Sequence, residues 1–87
     1  MKIPALITQV QPEYPPMAQA AHIGGAVILE ASVGADGCVQ SVRVLAGDAL
    51  LTKAAVDAVK QWRYSVLLLN GLPTPFIVTV TLNFRLK

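Results

Sequence analysis

A chain of 87 residues has room for one hydrophobic core and not for two. Hydrophobic residues make up 54% of it and charged residues only 14%, with a mean hydropathy of +0.56, which excludes a disordered tail. Seven Lys and Arg against five Asp and Glu leave a net charge of +2. The cations (Lys2, Arg43, Lys53, Lys60, Arg63, Arg85 and Lys87) are scattered, so no basic run follows a phosphate backbone and no nucleic-acid partner is expected.

Residues 1–12 read as an extended N-terminal segment: two prolines, alternating apolar residues and no helical period. Pro15-Pro16 then opens a short helix over 16–22, because proline is tolerated in a first turn and Ala18, Ala20 and Ala21 favour helix. Gly24 is expected as its left-handed C-terminal cap. In 25–33, Val27, Leu29, Ala31 and Val33 alternate with Glu30 and Ser32, a half-buried strand. Gly34-Ala35-Asp36-Gly37 supplies a turn, and 39–45 forms a second strand with Val42 and Val44 inward and Ser41 and Arg43 outward. So short a link makes the pair an antiparallel hairpin.

Asp48 is the expected N-cap of a helix over 49–61, whose apolar stripe is Leu51, Ala55, Ala58, Val59 and Trp62. Asn70-Gly71-Leu72-Pro73 marks a turn. In the last strand Phe76, Val78, Val80, Leu82, Phe84 and Leu86 share one face, and Thr79, Thr81, Asn83 and Arg85 the other. The expected fold is therefore a single α+β domain over 1–87, in the order helix, strand, strand, helix, strand. A small, mostly antiparallel three-stranded sheet carries both helices on one face in two layers.

Residues 64–84 hold no charge, but Asn70-Gly71, Pro73, Pro75 and three threonines are incompatible with a membrane helix. Catalytic chemistry finds little to use. His22 is the only histidine and Cys38 the only thiol, placed at a helix end and at a hairpin turn. The carboxylates Glu13, Glu30, Asp36, Asp48 and Asp57 do not cluster for acid–base work or for a hard metal. No enzymatic activity, cofactor or metal is expected, and one cysteine excludes an internal disulfide.

Three patterns carry information. In Gln11-Pro12-Glu13-Tyr14-Pro15 the prolines stiffen the backbone around an aromatic ring, which either presents it to a partner or staples the first helix to the core. In Gln61-Trp62-Arg63-Tyr64, Trp62 falls on the apolar helix stripe and reads as core. The last strand, if it lies at a sheet edge, offers a long run of unpaired backbone groups with almost no charge to guard it. Such an edge serves strand addition by a peptide or pairing with a second copy.

Together these pieces resemble the C-terminal domain of the TonB energy transducers. The matching residues are Gln11-Pro12-Glu13-Tyr14-Pro15, Ala18, Gly25, Val33-Gly34-Ala35-Asp36-Gly37-Cys38-Val39, Val42-Arg43-Val44-Leu45, Ala54-Ala55, Ala58-Val59, Trp62-Arg63-Tyr64 and Asn83-Phe84. The resemblance implies a periplasmic domain of an inner-membrane-anchored protein. Such a domain binds the TonB box of outer-membrane receptors and passes on force from a proton-channel complex for siderophore or vitamin uptake. It implies partner-binding roles for Gln11, Tyr14 and Pro15, with the receptor segment added beside Val78, Thr79, Val80, Thr81, Leu82, Asn83 and Phe84. Ser65-Val66 departs from the charged residue and proline that often follow Trp-Arg-Tyr in the family. Neither an anchor nor a proline-rich spacer is seen, so an excised module is expected. A self-associating domain forming strand-paired or swapped homodimers is the competing reading.

Overall fold

A computed structural model of the chain describes residues 4–86. In chain order it forms β1 (Leu6–Thr8), α1 (Pro16–Ala20), β2 (Gly25–Val33), β3 (Val39–Ala46), α2 (Ala49–Val59), β4 (Arg63–Tyr64), β5 (Leu67–Leu69), β6 (Leu72–Thr74) and β7 (Phe76–Phe84). The expected order survives as α1, β2, β3, α2 and β7. Four short strands that the sequence reading left as extended chain or turn are added to it. Residues 1–3 of the expected extended segment lie outside the described residues.

The main sheet has the order β3-β2-β7 and is antiparallel throughout. β2 and β7 pair without a register break, from Gly25 opposite Phe84 to Val33 opposite Phe76. The alternation in sequence sends Val27, Leu29, Ala31 and Val33 of β2, and Val80, Leu82 and Phe84 of β7, into the core. There they meet Leu51, Ala55 and Val59 of α2, Ala18 of α1, and Trp62 and Tyr64. Each large apolar side chain buried here contributes ~1.5–3 kcal/mol. Both helices feed this one cluster, which gives the α+β two-layer arrangement.

β3 departs from expectation. Val44 lies opposite Leu29, on the core-facing side, yet is 41% exposed. β3 is an outer strand with no neighbour beyond it to complete burial, and its pairing with β2 is irregular between Ile28 and Leu29 and between Ser32 and Val33.

The helix ends also differ. α1 stops at Ala20, and the left-handed residue is His22 (φ 56), not Gly24. His22 N–H donates to the Gln19 carbonyl and Ile23 N–H to the Ala18 carbonyl, the paired bonds of a Schellman cap. α2 ends at Val59, with Gln61 in the turn that follows; at its start the Asp48 carboxylate accepts from Leu50 N–H at 2.9 Å, as expected of an N-cap.

Two turns fix the hairpins. Gly37 (φ 87) completes the 34–37 turn, and a side chain there would overlap the Tyr64 carbonyl oxygen. That carbonyl belongs to β4, whose Tyr64 N–H donates to the Gly37 carbonyl at 2.8 Å. Glycine at 37 therefore seats β4 against the hairpin. Asn70 (φ 53) and Gly71 (φ 78) form the two-residue turn between β5 and β6. Near the N-terminus β1 pairs with β4, and Trp62 Nε1–H donates to the Val10 carbonyl at 2.9 Å, so the described part of the extended segment is bound to the body.

Candidate functional site

The candidate site is the outer edge of β7. Paired with β2 along one side, β7 has no strand on the other among the described residues. In a paired strand, alternate residues turn N–H and C=O to opposite sides, so about half of β7's backbone groups face outward. No side chain from Phe76 to Phe84 is charged. Thr79, Thr81 and Asn83 are exposed on the face away from the helices. Val78 is half-buried, and Val80, Leu82 and Phe84 are buried on the helix side. What this edge offers an approaching chain is mainly its backbone.

The sheet's opposite edge is a poorer template. β3 carries two register irregularities and Arg43, whose guanidinium pairs with Glu30 at 3.2 Å. The residue just ahead of it, Cys38, is already engaged by a bridge to Arg63. Bulges and charges of this kind discourage strand addition. The two edges are thus unequal, and the unguarded one is β7.

The N-terminal motif divides between two places. Tyr14 packs onto the core cluster, its ring edge-on to Phe84 with centroids 5.6 Å apart and planes at 89°. Its hydroxyl donates to the Ile23 carbonyl. Of the two readings of this ring, packing on the core is the one the structure shows: Phe84 at the end of β7 supplies an apolar wall, and Ile23 satisfies the polar tip. Gln11 and Pro15 instead line a groove of about 680 Å³ against Leu50, Lys53 and Asp57 of α2. The structure joins Tyr14 to the end of β7 and places Gln11 and Pro15 on the helix layer.

Gly24 has a role the sequence reading missed. A Cβ there would sit 2.8 Å from the Phe84 carbonyl oxygen and 3.1 Å from the Tyr14 hydroxyl. Only glycine lets the N-terminal segment, the start of β2 and the end of β7 meet so closely. The sequence signal was Gly24 itself, assigned to a helix cap. The partners of Trp62 and Ser65, the Val10 and Ala5 carbonyls, left no signal because a backbone acceptor has no side-chain signature.

His22 is exposed at the helix cap, and Cys38 is a half-buried free thiol whose N–H donates to the Asp36 carboxylate at 3.0 Å. Among the described residues no three of His, Cys, Asp and Glu group as metal ligands, and no helix is long and apolar enough to cross a membrane. Burial raises the Tyr64 phenol above its ordinary value of 10.0.

Comparison with known proteins places this geometry. Residues 10–86 match the family model described as "Gram-negative bacterial TonB protein C-terminal". Protein TonB of Vibrio cholerae is 34% identical over 97% of this chain and 36% of its own length. Protein TonB of Xanthomonas campestris is 38% identical over 87% of this chain and 35% of its own length. The chain thus spans about a third of the length of these curated relatives. In fold it is similar to the solution NMR structure of the Pseudomonas aeruginosa TonB CTD, with a TM-score of 0.79 and 23% identity, covering 97% of this chain and 87% of that one. Matched from residue 10 to residue 86 and similar in sequence to TonB proteins of several bacteria, this chain belongs to the TonB C-terminal domain family.

Proposed function

We propose that this domain engages outer-membrane receptors in the periplasm, as the receptor-facing part of a TonB-type energy transducer. It takes up the extended TonB-box segment of a receptor as an added strand beside β7, and passes on tension derived from the inner-membrane proton-motive force. It acts by binding and not by turnover. Siderophores and vitamins are the cargo of the receptors it serves, and the inner-membrane proton-channel complex acts on it through other parts of the transducer.

The observation that carries this reading is the uncharged outer edge of β7, held in an unbroken register with β2. About four or five residues of β7 turn their backbone groups outward. Each backbone hydrogen bond gives a net ~0.5–1.5 kcal/mol. Each outward residue offers two such bonds, but association costs ~4–15 kcal/mol, so the ladder alone supports weak, reversible binding. Tension drawn along the strand axis shears all these bonds together, so a weak ladder resists pulling better than its affinity implies.

A proline scan through Thr79, Val80, Thr81 and Leu82 tests the reading. Positions whose N–H faces β2 lose stability on substitution, whereas those whose N–H faces outward stay folded and lose binding of a receptor-derived TonB-box peptide. Circular dichroism separates the two classes. If every folded variant binds the peptide normally, strand addition at β7 is wrong. A mass that doubles with protein concentration and falls on peptide addition would show that a second copy competes for the same edge.

A further inference from the structure

Three ties fasten the N-terminal segment to the body, one after another along the chain. Ser65 N–H donates to the Ala5 carbonyl and Ala5 N–H donates to Ser65 Oγ, both at 2.7 Å. Trp62 Nε1–H donates to the Val10 carbonyl. The Tyr14 hydroxyl donates to the Ile23 carbonyl. The first two end on Ser65 and Trp62, the residues on either side of β4. Only the third is a hydrogen bond to the chain entering β2, because Ile23 lies just ahead of β2, and its Tyr14 ring stands against Phe84 of β7.

Between Tyr14 and Ile23 the chain runs through α1, a five-residue helix with one buried side chain, Ala18. Once the β1–β4 pairing and the Ala5 and Val10 ties have opened, tension from the N-terminal side would have to pass through this short helix and would draw it straight. The bond from Tyr14 to Ile23 closes the intervening segment into a loop, so tension crosses from one end of it to the other without entering the helix. Gly24 supports the same assignment from the opposite side: any larger residue would push the Tyr14 hydroxyl and the Phe84 carbonyl apart.

We infer that Tyr14 is a positioning residue of the force path, whose hydroxyl latch carries tension around α1 and delivers it at the junction of β2 and β7. The inference rests on the reading that this domain transmits tension, and it deepens that reading by naming where tension enters the sheet.

Single-molecule stretching at constant force tests it with Tyr14→Phe, which keeps the ring against Phe84 and removes the hydroxyl. With handles at the two chain ends, the variant shows an added extension step directly after the β1, Ala5 and Val10 ties open, as the nine-residue span lengthens. That step is at most about 30 Å. The lifetime of the closed state falls by up to roughly tenfold, as expected for one net hydrogen bond. With the N-terminal handle moved to Ala21, beyond most of the loop, wild type and variant behave alike. An equal loss of lifetime in both geometries would show a merely structural tyrosine, and no change under end-to-end force would also overturn the latch. Binding of a TonB-box peptide in the absence of force is measured separately, on wild type. Failure of wild type to bind that peptide would refute the functional reading while the stretching result still decided the latch.

Discussion

Trp62→Ala is the substitution that should damage this fold most per atom removed. The indole is 4% exposed and belongs to the cluster shared by β2, β7 and both helices. Truncating a buried Trp to Ala removes apolar burial and leaves a cavity, at ~3–5 kcal/mol. The lost Nε1–H donor leaves the Val10 carbonyl without its partner, adding ~1 kcal/mol or more. A domain of this length has a total stability of about 4–13 kcal/mol at ~0.05–0.15 kcal/mol per residue. The expected loss of ~4–6 kcal/mol therefore takes a large share of it, or all. Urea titration followed by far-UV circular dichroism measures the change directly. Trp62→Phe separates the two contributions, since it keeps most of the apolar volume and removes the donor; a loss of about 1–3 kcal/mol is expected. A Trp62→Ala variant within ~1 kcal/mol of wild type would refute the placement of the indole in the core.

Three further outcomes are expected. Gly37→Ala should cost about 2–4 kcal/mol, because it combines a left-handed backbone with overlap on the Tyr64 carbonyl; an unchanged urea midpoint would contradict the seating of β4 on the hairpin. Cys38→Ser should leave stability and peptide binding nearly unchanged, and full activity only in an oxidised covalent dimer would contradict that. Tyr64 favours its neutral form when folded, since burial raises its phenol above 10.0. Its contribution is therefore complete below pH 10 and is lost as pH rises through the folded value. Alkaline unfolding should be delayed in Tyr64→Phe relative to wild type, and an identical alkaline limb in the two proteins would count against a buried phenol.

Long, strongly patterned segments were legible in the sequence because one physical rule dominates each. The alternation in β2 and β7 and the stripe of α2 are burial patterns, and burial decides them. Asp48 was legible because a cap bond is local. Val44 was misread because its pattern is that of a covered strand, whereas the topology makes β3 an outer one. β1 and β4 are three and two residues long, and their pairing depends on contacts distant in sequence, Gly37 with Tyr64, Ser65 with Ala5 and Trp62 with Val10. β5 and β6 had their Asn70-Gly71 turn in plain view, but Leu67-Leu68-Leu69 lacks the alternation that marks strands. At the candidate site, the lack of charge on β7 could be read directly. That Tyr14 turns to Phe84, while Gln11 and Pro15 turn to α2, depends on how the N-terminal segment crosses the helix layer, and no local rule sets that.

Amide hydrogen exchange of β7, residue by residue, with and without a TonB-box peptide, tests strand addition most directly. Free protein should show alternation, with amides that face β2 protected and those between them exchanging quickly. Saturating peptide should protect the fast set and leave the β3 amides as they were. Alternation that persists unchanged with peptide bound, or full protection of β7 in the free protein at every concentration, would contradict an open edge that receives a receptor strand.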